Sequence, residues 1–413
     1  MLNKYISLIS KRVVDGYKPI RIPSKNDNII IAMSSGVDSS VAALLYARQY
    51  PNVRGIYMQN WSNSQSLDDP AKEPCYEKDW RDVRKVAKYL NIPVEKVNFE
   101  KDYWLDVFEP MLKNYELGLT PNPDVGCNRF VKFGRLKIYL DEKYGIDNYY
   151  LITGHYSRIL EVEEKENEFH LLRGYYKSKD QSYYLSQINT QILCQTLLPV
   201  GHLTKPEVRE LASYYELPTA TKPDSQGICF VNNSQHGKFK NFLKHYLPQA
   251  KGDIITLHPS TGEKIKWGEH DGLWSYTLGQ KVGISMPQAD ERYNGTWFVS
   301  RKIDETNEIV IVRGRDNAAL YTDTINVQDF IHMGHNTNSL RTEIDDGIRD
   351  GTLTIQARSL QEPIQVKSCE FESNESPNIH TLKLIKPQRA IAPGQYCCLY
   401  INERVLGSGT ITK

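Results

Sequence analysis

Three short stretches hold the residues most able to do chemistry. Ser34-Ser35-Gly36-Val37-Asp38-Ser39-Ser40 is small and mostly polar. Small side chains let backbone N–H groups close on an anion, and a helix starting behind them adds the positive end of its dipole. The stretch lacks the Gly-Lys-Ser/Thr ending of a Walker loop. Leu119-Thr120-Pro121-Asn122-Pro123-Asp124-Val125-Gly126-Cys127-Asn128 places a carboxylate three residues from a thiol, suited to proton transfer and nucleophilic attack. Ala220-Thr221-Lys222-Pro223-Asp224-Ser225-Gln226-Gly227-Ile228-Cys229-Phe230 carries a second thiol. Lys222 is a cation that could lower its pKa. On composition alone each cysteine also reads as a small buried hydrophobe, and the serine loop as a plain helix cap.

The elements around these stretches alternate. Ile29–Met33 is an apolar run before the serine loop, and Val41, Leu44 and Leu45 follow at helical spacing. This is strand, loop, helix. Val53–Met58 reads as a second strand, and Val94–Phe99 as a third. Tyr149–Thr153 is a fourth, ending at Gly154-His155. Val83, Val86, Ala87 and Leu90 recur as one helix face. Strands alternating with helices imply a parallel α/β sheet covered on both faces, with ligands at the carboxyl ends of the strands. The serine loop, Met58 and Gly154 all belong to that rim. The two cysteine stretches show no hydrophobic period and read as loops. Thr204-Lys205-Pro206-Glu207 fits a capping box opening a helix to about residue 216. Beyond residue 250 short β-rich runs broken by Gly, Asn and Asp predict a β-barrel in the last hundred residues.

The chain has 413 residues, 51 Lys+Arg and 50 Asp+Glu. This balance leaves any nucleic-acid contact to local arrangement. No window approaches the ~18 consecutive apolar residues of a membrane span. Seven cysteines, an odd number without a CxxC pair, argue against a zinc ribbon and a secreted disulfide framework. Cys75, Cys194, Cys369, Cys397 and Cys398 are expected to pack in cores or lie idle. The N-terminal MLNKYISLISKRVV, with Lys4, Lys11 and Arg12 and no acid before Asp15, reads either as a short mitochondrial presequence or as a frayed end. Gly237–His245 reads as a solvated helix or an RNA-facing basic surface.

The serine loop resembles the SGGxDS loop of the PP-loop ATP-pyrophosphatases (adenine nucleotide alpha hydrolase-like), with Ser35 in place of the first glycine. Further blocks, DWRDVRKVAKYLNIP, LTPNPDVGCNRFVKFG, ITGHYSR, KDQSYYL, KPDSQGICFV and APGQY, make the chain similar, over residues 33 to 396, to the tRNA-specific 2-thiouridylases of the MnmA/TrmU family. The resemblance implies a PP-loop catalytic domain at 27–225, a central linker domain at 226–305 and a C-terminal tRNA-binding β-barrel at 306–413. It implies an ATP site at Ala32, Met33, Ser34, Ser35, Gly36, Val37, Asp38, Ser39, Met58 and Gly154. The target base would meet Asn122, Pro123 and Asp124, with Asp124 as general acid/base. Cys127 matches the nucleophile and Cys229 the persulfide carrier. His155, Lys179, Asp180, Gln181, Arg358 and Gln395 match positions placed near tRNA. The family's usual Arg-Tyr pair is here Arg358-Ser359, so the stacking face that Tyr offers a base is missing.

The resemblance further implies ATP, with Mg²⁺ carried on the nucleotide, and no metal site made by protein ligands. AMP would be placed on the C2 oxygen of the wobble uridine. Sulfur from a Cys229 persulfide would then replace it, with a Cys127–Cys229 disulfide as one outcome. The expected partners are tRNA and a persulfide donor fed by a cysteine desulfurase, with no membrane. The expected location is mitochondrial, with a bacterial cytoplasm as the alternative. Two other readings stand beside this one. Another PP-loop adenylating enzyme would not require both cysteines. A nucleotide- and RNA-binding module without chemistry would gain nothing from the carboxylate–thiol set.

Overall fold

The computed structural model describes residues 1–62, 75–224, 239–258, 260–287, 290–334, 339–372 and 379–413. The strand–helix alternation produces a parallel sheet. Its strands are β1 (Asn28–Ala32), β2 (Val53–Gln59), β3 (Val94–Asn98) and β4 (Tyr149–Ile152). A hairpin, β5 (Ser157–Glu161) and β6 (Phe169–Arg173), leaves the sheet after Tyr156, and the short β7 (Thr196–Leu197) returns to it. The spatial order is β3-β2-β1-β4-β7. Ile29, Ile30 and Ile31 are fully buried, because β1 is central and covered on both faces. The acidic run after residue 161 is the tip of the β5–β6 hairpin, a solvated turn as its charge requires.

The N-terminus is not frayed. Leu2–Lys11 is a helix, with Tyr5 1% exposed and Ile9 6% exposed in the core that also holds β1. Tyr5 Oη donates to Glu210 at 2.7 Å, and Arg12 makes two bonds, 2.7 and 2.8 Å, to Glu207. The alternation of apolar and basic residues that suggests a leader serves here as one buried face and one solvated face.

The stretch before Cys127 is also more ordered than a loop. Asn122 caps a helical turn, Pro123–Gly126, by accepting from Asp124 N at 3.2 Å. Proline at the first helical position needs no N–H partner, so the Asn-Pro pair is a helix start. The turn continues as a π-helix, Cys127–Arg135, and then an α-helix, Leu136–Tyr144.

A four-stranded sheet made by 252–257, 264–270, 297–303 and 308–313 forms the central unit. Glu308–Arg313 pairs with both 297–303 and 253–255. Backbone pairing therefore carries the central unit past the expected boundary at 305. The six strands from 321 to 411 form the barrel, closed by pairing of 321–332 with 404–411. β6 pairs with Arg404 of the last strand, so the first unit's hairpin extends the barrel sheet. The adjacent Cys397 and Cys398 point opposite ways. Cys397 lies in the barrel core and Cys398 in the core shared with the first unit.

Candidate active site

The serine loop is tied to itself. Ser34 N donates to Ser39 Oγ at 3.1 Å, and Ser39 Oγ lies 2.8 Å from the Ser34 carbonyl. Gly36 precedes a helix, Val37–Ala47, with extended backbone. Ser35 is not among the residues with positive φ, so the side chain that replaces the usual glycine is tolerated. Its hydroxyl bonds Asp79. Gly154, at the end of β4, abuts the loop. A Cβ there would meet Ser39 N at 2.6 Å, so only glycine allows this approach.

The loop forms one wall of a cavity of about 530 Å³. Ala32, Met33, Ser34, Ser35, Gly36, Val37, Asp38, Ser39, Met58 and Gly154 all line it, as do Asp124, His155, Lys179 and Gln181. The carboxyl-end rim of the parallel sheet thus holds every expected nucleotide residue together with the expected carboxylate.

The opposite wall is one helix face. Asp124, Asn128 and Lys132 all reach the cavity. Their spacing of four suits the wider winding of the π-helix that begins at Cys127. Such winding is frequent at functional sites. Burial pushes the Asp124 pKa up, and Lys132 opposes this. Asn128 Nδ2 donates to the Asp124 carbonyl at 2.8 Å. That bond fixes the amide's orientation and leaves Oδ1 buried without a partner. Asn60 Oδ1 is likewise buried and unpartnered on the cavity wall. Buried acceptors without donors are costly, and two of them in one cavity point to a ligand that donates. Cys127 begins the same π-helix but is buried, 4% exposed, behind the face that Asp124 presents.

Charge at the floor is concentrated. Lys205 Nζ lies 2.7 Å from Asp38 Oδ1 and 2.8 Å from Asp224 Oδ1. Tyr156 Oη donates to Asp38 at 2.8 Å. Asp224 also pairs with Lys179 at 2.8 Å and Arg209 at 2.5 Å. These cations hold the Asp224 pKa well below the carboxylate range, against its burial. His155 is held neutral, its pKa far below the usual range through burial and the nearby Lys132, and its Nδ1 meets Thr153 Oγ1 at 2.6 Å.

Other expected contacts lie elsewhere. Asp180 is buried, 6% exposed, pairing with Arg173 at 3.3 Å and accepting from Gly174 N and Ser182 N. Arg173 in turn stacks on Tyr400 of the barrel. Asp180 therefore locks an internal joint and presents nothing to a ligand. Gln181 accepts from Tyr156 N at 2.9 Å through its side chain while lining the cavity. Asn122 and Pro123, which open the helical turn bearing Asp124, do not line the cavity. Arg358 is exposed on a turn of the barrel. Gln395 spends its amide on the Thr120 carbonyl at 2.7 Å. Cys229 lies outside the described residues, but Asp224, five positions earlier, is fixed in the cavity wall. Of the basic stretch, Lys244 pairs with Asp271 at 2.8 Å.

Residue-by-residue matching passed over Lys205, Tyr156, Asn128, Lys132 and Asn60. The four-residue spacing of Asp124, Asn128 and Lys132 was a usable signal. Lys205 was hidden inside a helix cap that explains itself.

Among the described residues no group of three or more His, Cys, Asp or Glu could hold a metal ion. No helix among them is long and apolar enough to cross a membrane. Family models match three parts of the chain. They are described as a tRNA methyl transferase HUP domain over residues 27–233, a tRNA methyl transferase PRC-barrel domain over 240–313 and an aminomethyltransferase beta-barrel domain over 331–411. The chain is 64% identical over 412 residues to mitochondrial tRNA-specific 2-thiouridylase 1 of Saccharomyces cerevisiae, covering all of this chain and 98% of the relative. It is 36% identical over 420 residues to the Schizosaccharomyces pombe protein of the same name, covering 99% and 96%. It is 36% identical over 408 residues to tRNA-specific 2-thiouridylase MnmA of Psychrobacter cryohalolentis, covering 97% and 94%.

Proposed function

The chain belongs to the tRNA-specific 2-thiouridylase family, and on that premise we propose how its own residues carry the reaction. It is a tRNA-uridine 2-sulfurtransferase. The carrying observation is a cavity in which an anion-cradling loop and a half-buried carboxylate share the lining, with a thiol one helical turn behind the carboxylate.

The cavity suits ATP. The Ser34–Ser39 backbone, the helix start at Val37 and the cations Lys205 and Lys179 would hold the phosphates. Asn60 and Asn128 offer buried acceptors to donors on the nucleotide or the base. ATP supplies the adenylyl group that turns the C2 oxygen of uridine into a leaving group. Mg²⁺ would be carried on the phosphates and would supply charge neutralisation there.

Asp124 takes the proton from the base as the C2 oxygen becomes nucleophilic, and returns it after sulfur enters. A raised pKa suits a group that must both take and give a proton. The outer sulfur of the Cys229 persulfide attacks C2, and AMP leaves with the former C2 oxygen. Cys127 thiolate then attacks Cys229 Sγ, the S–S bond breaks, and 2-thiouridine is released as a Cys127–Cys229 disulfide forms. Alternatively Cys127 attacks Cys229 Sγ first, and the expelled hydrosulfide displaces AMP; external thiols reduce the disulfide in either case. The base comes from a single-stranded anticodon loop, where it can be turned out into a pocket. His155, Gln181 and Arg358 are assigned to the tRNA side. The persulfide donor is one fed by a cysteine desulfurase. The two fungal relatives are named mitochondrial, and the chain is assigned to the mitochondrion on that likeness.

The test is a tRNA transcript with ATP, Mg²⁺ and sulfide, scored for 2-thiouridine and AMP in equal amounts. With a persulfide donor in place of sulfide, Cys127→Ser and Cys229→Ser each abolish product, whereas free sulfide, which needs no persulfide to be resolved, still supports it. Wild-type rates from both variants with that donor would remove the mechanism. AMP without 2-thiouridine would favour another adenylating enzyme.

A further inference from the structure

We propose that the Pro393-Gly394-Gln395 turn of the barrel is a strut that sets the position of Asp124 and Cys127; the inference rests on the thiolation reading of that cavity. The turn grips the chain just upstream of the catalytic helix. Thr120 N donates to the Pro393 carbonyl at 2.8 Å, and Gln395 Nε2 donates to the Thr120 carbonyl at 2.7 Å. Both backbone polar groups of Thr120 are thus satisfied by the barrel.

Gly394 makes the grip close. Its φ is +94°, and a Cβ there would meet Thr120 N at 2.8 Å and Leu119 Cβ at 2.9 Å. Both the backbone angle and the space exclude other residues. Little slack separates Thr120 from the site. Pro121 and Pro123 have fixed φ, and Asn122 between them is committed to capping Asp124 N. A shift at Thr120 is therefore passed to Asp124 and, one turn on, to Cys127.

The strut is anchored at its own end. Gly394 N donates to the Ile411 carbonyl and Ile411 N to the Gln395 carbonyl, each at 2.8 Å. Next in sequence, Tyr396 N donates to Tyr183 Oη at 3.2 Å. The central unit adds a second hold, Lys302 Nζ donating to the Gly118 carbonyl at 2.7 Å. Two folded units beyond the parallel sheet thus fix the backbone of 118–120. These residues position; they do not touch the reacting atoms.

The experiment compares full-length wild type with Gly394→Ala and Lys302→Met. For Gly394→Ala, kcat for thiolation is expected to fall roughly 10- to 100-fold while KM for tRNA and for ATP stays within about twofold, since small misplacement of a reacting group costs rate more than binding. Lys302→Met moves the same way by less. Amide hydrogen exchange over residues 119–128, read on the protein without substrates, is expected to speed up in both variants. Unchanged exchange with unchanged kcat overturns the proposal. So does a loss confined to KM for tRNA, which would make the turn a tRNA contact only. If Gly394→Ala does not fold, Lys302→Met decides by the same two readouts. A wild-type protein that makes no 2-thiouridine would sink the functional reading instead, and the exchange result would still judge the strut.

Discussion

Lys205 and Asp38, 167 residues apart in sequence, form a two-pronged ion pair at the cavity floor, with Nζ 2.7 and 2.9 Å from the two carboxylate oxygens. Lys205 is the first residue of its helix, and Thr204 and Glu207 close the capping box around that helix start. The pair places a cation beside the phosphate loop and holds Asp38 at the start of the helix Val37–Ala47.

Lys205→Met should therefore harm the nucleotide step more than tRNA binding. Pyrophosphate release is expected to fall roughly 10²- to 10³-fold, the usual cost of losing one preorganised charge at a transition state. Lys205→Arg should recover part of it. Stopped-flow detection of pyrophosphate, with tRNA affinity measured separately, checks this. Equal losses in both would show that Lys205 only supports the fold.

Asp124 links pH to both rate and stability. Its pKa is raised by burial. Folding then favours the protonated carboxyl, and that stabilisation is present below the unfolded pKa and lost as pH rises through the folded one. Asp124→Asn should consequently melt at a higher temperature than wild type near neutral pH, and at a similar temperature in acid. With Asp124 as the proposed base, the wild-type rate should fall as pH drops through the raised pKa. That acid limb should be missing from whatever activity Asp124→Asn retains. A variant of lower stability at neutral pH would contradict the burial argument.

Asn128 carries an orphaned acceptor held in place by its bond to the Asp124 carbonyl. Asn128→Asp sets a second negative charge beside Asp124, and like charges raise each other's pKa. The acid limb of the pH–rate profile should move to higher pH. Asn128→Leu removes the acceptor and also the amide's bond to the Asp124 carbonyl, so kcat/KM should fall about 10- to 100-fold and the melting temperature should drop modestly as well. An unmoved acid limb in Asn128→Asp would place the amide away from the reacting proton.

The N-terminal helix reaches the same floor through Arg12. Its guanidinium pairs with Glu207 and stacks over Tyr175, with the ring centroid 4.0 Å away. Glu207 is half of the capping box beneath Lys205. Arg12→Ala should cost on the order of 2 kcal/mol, the scale of a charge-assisted two-point bond, and should raise KM for ATP. Removing residues 1–12 should do more of both, because Tyr5 and Ile9 leave the core. Denaturant melts and ATP titrations measure the two effects. Full stability after truncation would show that Tyr5 and Ile9 add little to the core.

The sequence alone was enough for the parallel sheet and for the loops that line the cavity at its carboxyl-end rim. Those features are local. An apolar run, a small polar loop and a helix face each declare themselves within about ten residues, and Asp124 and Cys127 share one short stretch. What only the tertiary structure decided came from residues far apart in the chain. The cation at Asp38 lies on a distant helix whose cap looked purely structural. Asp180 turned inward because Arg173 and Tyr400 needed a buried partner. Gln395, on the far barrel, met the backbone at Thr120 rather than open solvent. The N-terminal stretch packs as a helix with Tyr5 and Ile9 in the core that also holds β1. Periodicity reports which face of an element is apolar, but not which remote element will cover it, and the site's charges were set by that second choice.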